Sequence, residues 1–180
     1  MALRLVDKIK ECTMTPNLPH HKRDIGTIEL IVIHRNSVAR DIVEVAAFYL
    51  NDKVEGPTTG FREPYHFFIQ KDGTVEQGHP LEIIGAGAKG RNHNGIHIAL
   101  DGDFRKELPT PAQLSALTAL CATLCSGLGL DPNRCLEPHS TDPAVKLCPG
   151  PKLSVPALRS ATREHMARER LLRMQTIGVK

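Results

Sequence analysis

The stretch TIELIVIH, residues 27–34, constrains this chain more than any other. Ile28, Leu30, Ile31, Val32 and Ile33 form a nearly continuous branched aliphatic run, and a strand of that kind presents apolar side chains to both faces of its sheet. Both faces then have to be covered. The rest of the chain supplies the cover. RDIVEVAAFYLND (40–52) spaces Ile42, Val45, Ala46 and Tyr49 at helical intervals. YHFFIQKDGTVEQG (65–78) reads as two short strands joined at Lys71-Asp72-Gly73, because Asp-Gly is a strong hairpin signal. GIHIAL (95–100) alternates Ile96, Ile98 and Leu100 against His97 and Ala99, which predicts another strand. TPAQLSALTALCATLCSGLG (110–129) has a helical period, with Thr110 as N-cap, Pro111 at the first helical position and Gln113 completing a capping box. VPALRSATREHMARERLLRMQ (155–175) reads as a C-terminal helix. This order predicts one α/β domain, a central mixed β-sheet flanked by helices. Residues 1–26 read as an N-terminal arm, 27–155 as the core and 156–180 as a basic C-terminal helix.

Composition narrows the classes. The 180 residues suffice for one domain with its own core; with no tryptophan and only 4% aromatic residues, aliphatic side chains have to fill it. A formal charge of +3 is too small to point to nucleic acid. No apolar run approaches the ~18 residues of a membrane span, so no transmembrane segment is expected. Asp7, Lys8, Lys10 and Glu11 interrupt the apolar residues at the N-terminus, which argues against a signal peptide. Five cysteines without regular spacing argue against a disulfide framework. Cys121 and Cys125, four apart on a helix, read as small buried apolar residues. Between Arg159 and Lys180 stand six basic and two acidic residues. That pattern suits a solvated helix face or, alternatively, a docking face for a protein or an anionic surface.

The chemistry concentrates in HSTDPAVKLCPG, residues 139–150. Cys148 can be half of a disulfide, a catalytic thiol, a metal ligand, or none of these. His34 closes the first strand, and sites in open α/β sheets gather at the carboxyl ends of strands. His34, His139 and Cys148 together make a donor set suited to zinc, with the fourth tetrahedral position open for water. A Cys148 nucleophile paired with His139 would leave His34 unexplained. If the loop is extended, Lys146 points to the same side as Cys148 and can stabilise an oxyanion; a surface lysine is the alternative. Tyr65 and His66 are strand neighbours facing opposite sides, so one of them faces the site. The tyrosine hydroxyl can orient water or a carbonyl, and either residue can equally be core.

The stretches LIVIHRNS, PYHFFIQKDGTVEQGH, GAGAKGRNHNGIHIALDGDF, TPAQLSALTAL and HSTDPAVKLCPGP, taken together over about residues 27–155, resemble the zinc-dependent N-acetylmuramoyl-L-alanine amidases of the phage-lysozyme and peptidoglycan-recognition-protein type. The resemblance implies a mixed sheet flanked by helices, with one Zn2+ in a surface groove at strand ends, held by His34, His139 and Cys148. It implies catalytic assistance from Tyr65 and Lys146, and substrate contacts from Asn92, His93 and Asn94 in RNHNGI; a turn before a strand is the alternative for that loop. The implied reaction is hydrolysis of the amide between the lactyl group of N-acetylmuramic acid and L-alanine, with peptidoglycan or a muropeptide as substrate. A non-catalytic peptidoglycan-binding module is the alternative, and the Cys148 thiol favours the enzyme. The expected place of action is the cell wall, after holin-type release or secretion, or the cytoplasm in a recycling role. In GAGAKG the chain has Gly87 where relatives commonly carry a histidine.

Overall fold

The computed structural model describes residues 3–12, 21–51, 64–141 and 147–176. Among these residues six strands form one sheet: β1 (Leu5–Asp7), β2 (Leu30–Asn36), β3 (Phe67–Ile69), β4 (Val75–Gln77), β5 (Gly95–Asp101) and β6 (Leu136–Pro138), in the order β1-β4-β3-β5-β2-β6. Of these described strand pairs only the β3–β4 hairpin is antiparallel, so the sheet is mixed, as its sequence predicts. Gly73 supplies the turn of that hairpin with φ +85°, a conformation that favours glycine. The helices are α1 (Ile9–Cys12), α2 (Ile42–Asn51), α3 (Pro111–Leu128), α4 (Pro132–Cys135) and α5 (Val155–Thr176).

The aliphatic run forms a central strand, as expected, although β2 begins at Leu30 rather than Thr27. Asp24 caps a 3-10 turn over Ile25–Thr27, with its carboxylate accepting from Gly26 N at 2.8 Å, and that turn consumes the first residues. The N-terminal arm also contributes to the sheet: Leu5–Asp7 pairs parallel to β4. Three residues with no alternating apolar partner carry no strand signal of their own, and the open edge of β4 supplies the template.

The two faces of the sheet have different cover. Ile31, Ile33, Ile96, Ile98, Leu100, Phe67, Ile69 and Val75 face the main core, against Leu117, Leu120, Cys121, Leu124 and Cys125 of α3 and Val155 and Leu158 of α5. Each buried leucine contributes roughly 1.5–3 kcal/mol. Thr110 and Gln113 form the capping box that the sequence predicts, and Gly129 ends α3 in the left-handed region at φ +68°. By length and composition α3 could cross a bilayer, but its apolar side is packed into this core.

The opposite face is thinner. Ile42 and Val45 of α2 pack there with Tyr65, Phe68 and Ala99. The start of α2 is held from the sheet: Glu76 in β4 accepts from Ile42 N at 2.8 Å and from Gln70 Nε2 at 2.9 Å, and burial raises its carboxyl pKa. On this face β2 presents Val32, His34 and Asn36.

Candidate metal centre

The register of the sheet assembles the site. β2 and β6 run parallel with Ile33 beside Pro138, so the next residues, His34 and His139, stand side by side; β6 ends there, whereas β2 runs on to Asn36, so His34 does not close its strand as expected. His139 N donates to Ile33 O at 3.1 Å, which extends the pairing by one residue. The two imidazole centroids are 4.7 Å apart. The chain then returns. Ser140 and Cys148 form an antiparallel bridge with reciprocal backbone hydrogen bonds of 2.9 and 3.0 Å. That bridge brings the thiol back beside His139 across eight intervening residues.

The ligand atoms of His34, His139 and Cys148 all lie within 4.8 Å of one another. His34 and Cys148 are 1% exposed. The sulfur accepts from Arg35 N at 3.4 Å, a contact that favours thiolate over thiol. The Arg35 side chain secures the same loop, donating to Leu147 O at 3.3 Å and pairing with Asp103 at 3.3 Å. The hydrogen bond from Arg105 holds the Asp103 carboxyl well below the usual carboxylate range. Two imidazoles and one thiol beside the β2–β6 pair form a donor set that fits a tetrahedral N/S-ligated ion such as zinc, with one position left for solvent or substrate.

Tyr65 is buried, and its ring centroid is 5.0 Å from that of His34. β3 begins only at Phe67, so Tyr65 and His66 precede the strand rather than opening it, and the His66 ring stacks on that of His97 with centroids 5.8 Å apart. His97 N donates to Nδ1 of His66 at 3.1 Å, so the neutral His66 ring carries its proton on Nε2 and donates to Ile83 O at 2.9 Å. Desolvation holds His66 well below the ordinary histidine pKa, and it pushes His97 down to about 3. Both rings are therefore neutral at physiological pH.

Arg23 and Arg91 have no place in the sequence reading, and both build the rim. Arg23 donates to the carbonyls of Leu81, Asn92, His93 and Gly95 at 2.8–3.3 Å. Desolvation lowers its pKa to about 10, so it stays charged at neutral pH. Arg91 donates to Pro138 O and His139 O and pairs with Glu137 at 3.1 Å. The loop holding Asn92, His93 and Asn94 is thereby tied to the strand end that carries His139. Within it, Asn92 Oδ1 accepts from Ala88 N at 2.8 Å and Asn94 Nδ2 donates to Glu29 at 2.9 Å, while His93 is exposed. Lys146 lies outside the described residues. Beyond Cys148, a cavity of about 310 Å³ is bounded by Ser140, Leu147, Leu153 and Val155; it adjoins the cluster without including His34 or His139.

Over residues 24–151 the sequence matches the family described as N-acetylmuramoyl-L-alanine amidase, a span that contains His34, His139 and Cys148. The chain belongs to the N-acetylmuramoyl-L-alanine amidase family. It is similar to the endolysin of Enterobacteria phage T3, 41% identical over 90 residues that cover 47% of this chain and 57% of that protein. It is also similar to the endolysin of Escherichia phage T7, 45% identical over 65 residues covering 33% and 43%. The chain thus spans about half the length of the curated relatives it matches. Among solved structures, the fold matches an endolysin amidase, LysCS, of Clostridium intestinale with TM-score 0.64 at 22% identity, covering 89% of this chain and 95% of that one. Drosophila PGRP-LB matches with TM-score 0.62 at 26% identity, covering 83% and 89%. Membership accounts for the quoted stretches, and the fold is the mixed sheet that the resemblance implies.

Proposed function

We propose that this chain is a zinc-dependent N-acetylmuramoyl-L-alanine amidase, a peptidoglycan hydrolase that cleaves the amide between the lactyl group of N-acetylmuramic acid and the L-alanine of the stem peptide. The observation that carries the reading is the convergence of His34, from β2, with His139 and Cys148, from the stretch 139–150, to within 4.8 Å. Those three residues would hold Zn2+. When bound, zinc supplies Lewis-acid polarisation of a carbonyl and a water acidic enough to attack it.

The chain's own groups do the rest. In this reading Tyr65 positions the water or the lactyl carbonyl from beside His34, and Lys146, two residues before the thiol, neutralises the oxyanion. Asn92, His93 and Asn94 form the wall that meets the stem peptide; His93 reaches solvent, and the two asparagines also hold the loop in shape. The family match and the endolysin relatives support action on the cell wall after synthesis in the cytoplasm and release. The exposed distal part of α5, with Leu171, Leu172 and its arginines, is where we place any protein or anionic-surface partner.

Release of a new L-alanyl amino terminus from a soluble muropeptide tests the scheme, measured before chelation, after it, and after zinc is restored. Cleavage should stop on chelation and return with zinc. Undiminished cleavage by zinc-free protein would sink the reading, and fragment binding without amine release would make the chain a recognition module. A comparison of intact sacculi with soluble fragments separates wall lysis from recycling.

A further inference from the structure

Behind the three candidate ligands lies a fourth imidazole to which the sequence assigns no role. His97 is fully buried in β5, and its Nδ1 is 3.1 Å from Nε2 of His34. The register explains the approach. His97 pairs with Val32 and Ala99 with His34, so His97 shares the His34 face of the sheet one step along the diagonal, and Ala99 beside His34 is too small to intervene.

Glycines enclose the ring. A Cβ at Gly87 would fall 2.7 Å from Nδ1 of His97 and 3.2 Å from Nε2 of His34. One at Gly85 would come within 3.0 Å of Cδ2 of His97, and one at Gly95 within 3.6 Å of Nε2. None of the three has a positive φ, so backbone conformation does not require glycine at any of them. At Gly87 the requirement is room for the contact between the two rings.

We propose that His97 is a positioning residue for His34: its Nδ1 accepts the Nε2 proton of His34 and fixes the tautomer whose lone pair lies on Nδ1, the nitrogen left for the ion. This inference rests on the zinc reading above. A ligating histidine gives one nitrogen to the ion and donates the proton on the other to an outer partner. For His34 the nitrogen facing His97 is Nε2, which leaves Nδ1 as the ligand atom. The hydrogen-bonding balance of His97 agrees. With Nδ1 accepting, its own proton sits on Nε2, a buried atom with no hydrogen-bond partner among the described residues. An aliphatic side chain would fill the cradle without orphaning an N–H. The imidazole is therefore accounted for by its other nitrogen.

The test measures zinc affinity by competition with a chromophoric chelator, alongside the unfolding temperature of the metal-free protein. His97→Leu fills the cradle without an acceptor and should weaken zinc binding by about 10–100-fold, the usual effect of losing an outer partner. His97→Asn places Oδ1 where Nδ1 stood and should keep most of the affinity. Wild-type affinity in the leucine variant, or an equal loss in both variants, overturns the assignment. If the leucine variant does not fold, Gly87→Ala decides: crowding the contact must weaken zinc binding, and unchanged affinity rejects the proposal. A wild-type protein that takes up no zinc removes the zinc reading itself, whereas failure confined to the variants removes only His97.

Discussion

Cys121 lies in the middle of α3, 0% exposed, among the leucines of the main core. Cys148 lies in the loop returning to β6, 1% exposed, beside two imidazoles and beneath a backbone N–H from Arg35. The two thiols have nearly the same burial and opposite chemistry. Around Cys121, desolvation pushes the pKa far up, and the group remains a neutral space-filler. Around Cys148, donors and candidate co-ligands gather beside the parallel β2–β6 pair. Depth therefore does not make a cysteine functional; the groups its sulfur meets do.

The comparison can be broken most sharply at Cys148. Cys148→Ala should abolish zinc uptake and lower amide cleavage by more than about 100-fold, beyond the range seen for outer-partner losses. A rate near wild type would remove the distinction between the two thiols. Cys121→Ser should do the reverse. It buries a hydroxyl among leucines and should cost about 1–3 kcal/mol in denaturant unfolding, while zinc content per folded molecule stays unchanged. Loss of zinc in that variant would mean that the core and the site are one unit.

The next effect is a slope with pH. The Cys121 pKa is raised in the folded state, so its contribution to stability is complete below the unfolded thiol value near 9.0 and is lost as pH rises above it. Urea midpoints taken from pH 8 upward should fall, and Cys121→Ala should reduce that fall by up to about 1.4 kcal/mol per pH unit. An unchanged slope would show that Cys121 is not the group that titrates. The smallest expected effect lies away from both thiols. Val155, Leu158 and Thr162 are the buried residues of α5, and Met166 still packs against the core. Deleting residues 167–180 should change stability by less than about 0.5 kcal/mol and leave cleavage intact; a large loss would place the distal helix inside the folding unit.

The two cysteines also differ in how much of their setting the sequence reveals. Cys121 and Cys125 are legible as core because the helical period of α3 is local, and the capping box and Gly129 mark its ends. His34 is legible as the residue that closes an aliphatic run, although the strand itself continues to Asn36. His97 is not: in GIHIAL it falls in the alternate set to Ile96, Ile98 and Leu100, which reads equally as a solvent face. The helix and loops covering that side are what bury it. The signal is nearby, in Gly85 and Gly87 of GAGAKG, whose function as spacers appears only once a ring is seen against them. Arg23 and Arg91 were missed for a similar reason. Their partners are carbonyls of distant loops, which have no side-chain signature.

The sequence by itself determined the longer elements, β2, β5, the β3–β4 hairpin, α2, α3 and α5, and with them the mixed sheet flanked by helices, and it pointed to the three-residue donor set, because periodicity, caps and motif spacing are written over a few neighbouring positions. Only the tertiary structure decided how those donors meet: Ile33 beside Pro138, Ser140 bridged to Cys148, and His97 diagonal to His34. Register is a property of pairs of segments far apart in the chain, fixed by the joint burial of both faces of the sheet, and no single segment contains it.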